Sequence, residues 1–264
     1  MVNVLVGTTA SKPGTVFVTG ASTGFGAAIA RRFAADGARV IASARRTGRL
    51  AGLTGDFGPR VLPLELDVRD RAAVSQAVAG LPAEFAEIDI LVNNAGLAKG
   101  LLPAQQADLD DWDQMIDTNC KGLVYCTRAV LPGMVRRGRG HVINMGSVAG
   151  TYPYPGGNAY GGTKAFVHQF SLNLRSDLHG TGVRVTCVEP GMAGGTEFSL
   201  VRFDGDADKA DAVYAGMQPL TPADIAETVH WVASLPAHVN INTIELMPVA
   251  QSFAPFQVHR AAPG

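Results

Sequence analysis

Tyr160 and Lys164 stand four residues apart in "YGGTKAFVHQF", a stretch whose apolar spacing predicts the first turns of a helix. Residues at that spacing share a face, with roughly 5–6 Å between Cβ atoms. An ammonium that close favours phenolate over phenol and should lower the tyrosine from its ordinary pKa of about 10. A phenol tuned in this way is a proton carrier usable near neutral pH. An amphipathic helix with Tyr and Lys at its edge has the same spacing, so the rest of the chain must decide.

A second chemical feature is "TGASTGFG", Thr19 to Gly26. Gly20, Gly24 and Gly26 fall where a short apolar run gives way to a helical pattern. Glycine there permits a tight turn and lets backbone N–H groups approach a pyrophosphate, which the helix N-terminus attracts. Ser22 and Thr23 add hydroxyls beside it. The end of the next strand separates the dinucleotides. NAD sites usually carry an Asp or Glu roughly 20 residues beyond the glycines. Between Gly37 and Gly55 this chain has no acidic residue; it has Arg45, Arg46 and Arg49. A guanidinium suits a 2′-phosphate, so NADP is expected.

These groups need elements to hold them. Short β-branched runs predict strands at 15–19, 39–44, 61–66, 88–94, 141–147, 183–191 and 241–249. Helical patterns lie between them, at 24–37, 72–81, 111–137, 158–179 and 222–235, the last with Thr221 as N-cap. Seven strands alternating with helices imply an α/β fold of Rossmann type: one parallel sheet covered on both faces. No Pro-, Gly- and Ser-rich linker divides residues 1–264, so one domain is expected. The irregular stretch 192–220 reads as a substrate lid. The stretch 250–264 reads as a C-terminal tail whose Phe253 and Phe256 pack on a neighbour.

Composition narrows the function. Of 264 residues, 47% are hydrophobic and 17% charged, enough for a large core. Lys plus Arg number 22 against 23 Asp plus Glu, a balance that offers nothing to nucleic acid or an anionic membrane. Three cysteines and six histidines show no metal-ligand spacing, so no metal is expected. The start lacks a signal-peptide pattern and no long apolar run follows, which points to a cytoplasmic protein.

Taken together, these motifs resemble the short-chain dehydrogenases/reductases over nearly the whole chain from about Thr15. "TGASTGFG" is similar to that family's cofactor loop, "LDV" at 66–68 to its adenine-contacting segment, "NNAG" at 93–96 to the motif bordering the cofactor, and "PG" at 190–191 to the turn under the nicotinamide. The resemblance implies cofactor contacts from Gly20, Ser22, Thr23, Gly24, Phe25, Gly26, Arg45, Arg46, Asp67, Val68, Asn93, Ala95, Gly96, Tyr160, Lys164, Pro190, Gly191 and Thr196. It implies a catalytic set of Asn119, Ser147, Tyr160 and Lys164. Tyr160 would be the general acid/base. Lys164 would lower its pKa and bind the nicotinamide ribose. Ser147 would hold the substrate oxygen, and Asn119 a water leading from Lys164 to solvent.

Four further stretches, among them "MIDTNCKGLVYCTRAVLPGMV" and "LPAHVNINTIELMPV", resemble the NADP-dependent 3-hydroxy acid dehydrogenases, which include enzymes for serine and L-allo-threonine. That implies oxidation at the β-hydroxyl of a small hydroxy or amino acid. Its carboxylate needs a cation, for which Arg202 is favoured over Lys99. Lys99 stands where an apolar residue is expected, and about a dozen residues precede the first strand. A broader carbonyl reductase for ketones or 3-oxoacyl thioesters is the alternative. A non-catalytic NADP-sensing protein is the more distant one. The resemblance also implies a homotetramer, built through the helices at 111–137 and 158–179.

Overall fold

The structure is a computed structural model and describes residues 14–253. The N-terminal extension and Phe256 lie outside them. Seven strands form one parallel sheet: β1 (Thr15–Val18), β2 (Arg39–Ala44), β3 (Val61–Glu65), β4 (Ile88–Asn93), β5 (Gly140–Met145), β6 (Val183–Pro190) and β7 (Thr243–Leu246). Their spatial order is β3-β2-β1-β4-β5-β6-β7. The chain winds outward from β1 to β3, then returns to lay β4 on the other side of β1. A crevice opens at such a reversal, beyond the carboxyl ends of the strands.

Alternation along each strand divides the core between two faces. Val16 and Val18 of β1 pack with Ile29 and Phe33 of α1 (Gly24–Ala35). Phe17 points the other way, into a cluster with Ile41, Leu91 and Val142. Burial on both faces explains why the strands read as unbroken apolar runs. Pro63 sits in β3, an edge strand, where its missing N–H breaks no ladder.

A helix α2 (Ala51–Phe57) was not legible in the sequence; it is short, contains Gly52 and Gly55, and buries Leu53 alone. After α3 (Arg71–Ala79), the single helix expected over 111–137 is two. These are α4 (Leu109–Ile116) and α5 (Leu123–Arg137), joined by one π-helical segment at Asp117–Gly122. There Gly122 passes so close to the chain after β3 that a Cβ would stand 2.7 Å from Val68 Cγ2. Gly138, left-handed at φ 65°, ends α5 as expected. Next comes α6 (Asn158–Asp177). The stretch 192–220 is not wholly irregular, since it contains α7 (Phe198–Arg202) and α8 (Ala207–Ala212). Finally α9 (Pro222–Ser234) begins in a capping box between Thr221 and Asp224.

Candidate active site

A cavity of about 730 Å³ occupies the crevice beyond the carboxyl ends of the strands. One wall is the glycine loop. Gly20 has φ +65°, and a Cβ on it would lie 2.9 Å from the Ala95 backbone. Gly26 does not line the cavity. Its role is packing, because a Cβ there would stand 2.3 Å from the Gly20 carbonyl oxygen. Thr19 and Asn94 tie this loop to β4. The Thr19 hydroxyl accepts from the backbone N–H groups of Asn94 and Ala95, each at 3.0 Å. Asn94 Nδ2 donates to the carbonyls of Thr19 and Gly20 at 2.9 and 3.1 Å.

The expected contact from Asn93 needs correction. Its side chain is buried among Thr127 and Asn144, to which Nδ2 donates at 2.9 and 2.8 Å. The chain turns where β4 ends, with Asn94 N–H donating to the Val92 carbonyl at 3.0 Å, and Asn94 lines the cavity while Asn93 does not. Ser22, Thr23, Gly24 and Phe25 do line it, as do Arg45 and Arg46 at the end of β2. So do Asp67, Val68, Ala95, Gly96, Pro190, Gly191 and Thr196. Asp67 is gripped by Arg69 at 2.6 Å, which holds its carboxyl below the usual range. A glycine-rich loop at a helix N-terminus, with two guanidiniums and no carboxylate at the end of β2, fits a dinucleotide bearing a 2′-phosphate.

At the opposite end, Ser147, Tyr160 and Lys164 converge. Ser147 follows β5; its hydroxyl accepts from Ala149 N–H at 3.1 Å and donates to the Pro190 carbonyl at 3.4 Å. A 3₁₀ turn at Val148–Gly150 seats α6 against β5, with Gly150 so close that a Cβ would touch the Lys164 backbone at 2.7 Å. Lys164 Nζ donates to the Met145 carbonyl at 2.8 Å and stands 5.8 Å from the centre of the Tyr160 ring.

The expected depression of Tyr160 by Lys164 does not appear. Burial pushes the phenol up to about 12, against the opposing pull of the Ser147 hydroxyl and Arg202. Burial also pulls Lys164 down, to about 8. Desolvation disfavours both charged forms, and here it outweighs the neighbouring groups that favour them. Asn119 is fixed by its own contacts: Nδ2 donates to the Leu97 carbonyl and to Thr163 Oγ1, and Oδ1 accepts from Leu97 N–H. It lies outside the cavity lining, tying the π-helical segment to the chain after β4.

Arg202 and Lys99 separate clearly. Arg202 lines the cavity, donates to the Tyr154 phenol oxygen at 2.6 Å and lies 5.6 Å from the Tyr160 ring centre. Lys99 does not line it. Its ammonium is paired with Asp204, and with Asp111 at 3.7 Å; the Asp204 bond raises its pKa. Tyr154, Phe198 and Tyr214 complete this end of the cavity. No spacing in the sequence singled them out. Phe253 packs on Tyr152 of its own chain, ring centres 4.7 Å apart, so this part of the tail is seated at the cavity mouth.

The fold also assembles a cluster that the sequence spacing hid: His168, Cys187 and Glu189 bring their polar side-chain atoms within 4.8 Å of one another. No helix among the described residues is long and apolar enough to cross a membrane.

A family model described as short chain dehydrogenase matches residues 14–204. An NADP-dependent 3-hydroxy acid dehydrogenase from Salmonella typhi is 63% identical over 246 residues, covering 93% of this chain and 99% of that one. A serine 3-dehydrogenase from Rhizobium radiobacter is 56% identical, covering 94% of this chain and 98% of that one. Among solved structures, the closed form of a serine dehydrogenase complexed with NADP⁺ is 61% identical with a TM-score of 0.92. It covers 94% of this chain and 100% of its own.

Proposed function

The chain belongs to the short-chain dehydrogenase family, and we propose that its substrates are small 3-hydroxy acids or hydroxy amino acids of the serine type. It is an NADP-dependent oxidoreductase acting on hydroxyl groups. The observation that carries the substrate class is Arg202, a guanidinium lining the cavity 5.6 Å from the Tyr160 ring centre. A guanidinium can grip a carboxylate with two parallel hydrogen bonds, which a neutral alcohol cannot accept in that form.

NADP, when bound, supplies the hydride exchange. The remaining work falls to side chains of this chain. Ser147 steadies the substrate oxygen as its charge changes. Tyr160 holds or takes the hydroxyl proton, and Lys164 supplies the positive charge beside it. Arg45 and Arg46 bind the 2′-phosphate. The lid reading of 192–220 is supported by its ties to the body of the domain. Arg49 holds Glu197 with two bonds of 2.8 Å, and Gly100 N–H donates to the Arg202 carbonyl at 3.1 Å.

Residues 1–264 act as one catalytic domain in the cytoplasm, as a homotetramer. Support for assembly through α6 is its half-exposed Phe166, stacked on Phe170 with ring centres 5.7 Å apart; a molar mass from light scattering tests it. The test of the activity is a panel of initial NADP⁺ reduction rates. It compares both serine enantiomers, the threonine diastereomers, 3-hydroxypropionate, 3-hydroxyisobutyrate and a plain secondary alcohol. Preference for the alcohol would defeat the assignment.

A further inference from the structure

Lys164 and Glu189 are the two Lys, Arg, Asp or Glu side chains that the fold buries among the described residues, at 8% and 2% exposure. They flank a single peptide unit. The Lys164 ammonium donates to the Met145 carbonyl at 2.8 Å. The next residue is Gly146, where a Cβ would meet Cys187 Sγ at 2.8 Å, Glu189 Cγ at 2.9 Å and Glu189 Oε1 at 3.3 Å. Only a glycine lets the carboxylate come this close to that peptide.

Glu189 is itself held. Its Oε1 accepts from His168 Nδ1 at 2.7 Å and from Cys187 Sγ at 3.3 Å. His168 lies one turn beyond Lys164 on α6, so Tyr160, Lys164 and His168 follow one another at four-residue steps along one helix face. The His168 side chain is one-third exposed, while Glu189 beneath it is closed off. None of His168, Cys187 and Glu189 lines the cavity. The 2.7 Å contact is a hydrogen bond: nitrogen and oxygen each about 2.0–2.1 Å from a tetrahedral zinc would stand roughly 3.3 Å apart.

An ammonium removed from water needs an anion nearby or loses its proton. The groups facing Lys164 come from several elements. Tyr160 and His168 share its helix, Cys120 comes from the π-helical segment, and Cys187 and Glu189 come from β6. β5 offers it the Met145 carbonyl, and from the chain after β4 Gly96 lies so near that a Cβ there would stand 3.7 Å from Lys164 Nζ. Burial pushes Cys120 up to about 11 and Cys187 up to about 12, and Tyr160 to about 12, so near neutral pH all three are uncharged. Glu189 is the carboxyl group among them, and its electrostatic pull acts to keep the Lys164 proton in place.

We propose that Glu189, oriented by His168, is a positioning residue that keeps Lys164 in its ammonium form behind the active site. The proposal rests on the reading of Lys164 as part of that site.

The test is an NMR titration of the full-length enzyme labelled at lysine Cε, with the Lys164 signal assigned by its loss in Lys164→Arg. Glu189→Gln keeps the shape and removes the charge. The Lys164 midpoint should fall by about one pH unit or more, and the basic limb of the kcat/KM profile should move down with it. Glu189→Asp should restore at least half of the shift. His168→Lys, at a part-exposed position, sets a fixed cation beside Glu189 and should move the midpoint the same way as Glu189→Gln. An unmoved midpoint in Glu189→Gln, or equal midpoints for the Asp and Gln variants, overturns the proposal. If Glu189→Gln does not fold, an unmoved midpoint in His168→Lys does so alone. The titration needs no substrate, so it stands or falls apart from the activity: normal turnover of 3-hydroxy acids with an unmoved Lys164 defeats this inference and leaves the function in place.

Discussion

Arg202 and Tyr154 form a 2.6 Å hydrogen bond that presses the guanidinium into a pocket of three aromatic rings, those of Tyr154, Tyr160 and Phe198, at 5.4, 5.6 and 6.0 Å. The cation is thus held over the Tyr160 phenol before any substrate arrives. Lys99, the other cation considered, is spent on two carboxylates.

Arg202→Ala should therefore raise KM for serine or 3-hydroxypropionate by an order of magnitude or more, since a hydrogen bond to a charged group contributes about 1.5–3 kcal/mol. Turnover of a neutral secondary alcohol should change far less. Lys99→Ala should show no such selectivity. Steady-state kinetics on both substrates decides it, and a selective loss in Lys99→Ala instead would reverse the roles.

Tyr160→Phe removes the proton carrier and keeps the ring against Phe198. Activity should fall by at least about two orders of magnitude, the usual scale for losing a positioned acid/base. NADPH fluorescence titration should show binding close to that of the wild type. Turnover near wild type would sink the assigned role.

Arg45 and Arg46 stand exposed at the cavity end of β2 with no acidic neighbour in that stretch. Replacing both with Ala should raise KM for NADP⁺ about tenfold or more and leave that for NAD⁺ nearly unchanged. Equal effects on both cofactors would mean that the arginines serve the fold.

Burial lowers Lys164 from 10.5 to about 8. Below about pH 8, folded and unfolded states both carry its proton, and the burial cost is fully felt. Between about 8 and 10.5 the unfolded state binds more protons, so this residue's contribution to stability rises with pH. The stability difference between wild type and Lys164→Met should shift towards wild type by about 3 kcal/mol across that window, at 1.36 kcal/mol per pKa unit. Urea denaturation of both at pH 7.5 and 10.5 measures it; a flat difference would mean that Lys164 is not desolvated.

Much of this molecule is local in the chain and was therefore legible. Strand and helix periods, the Gly138 and Thr221 helix ends, the glycine turn after β1 and the missing acid after β2 each depend on a few neighbouring residues. From them followed the parallel sheet, the dinucleotide crevice and NADP. Other features depend on which face a side chain takes and on what distant segment covers it. Asn93 and Asn94 are adjacent, yet only the turn that ends β4 decides that the second meets the cavity. Lys99 stood as the less favoured of two candidate cations, and only the fold shows it taken, by Asp204 105 residues later. Tyr160 and Lys164 share a helix face as their spacing foretold, but the direction of their pKa shifts follows from desolvation by the whole fold. His168, Cys187 and Glu189 have no common motif. They meet because β6 runs beneath α6, and only packing could bring a carboxylate on the strand to a histidine on the helix.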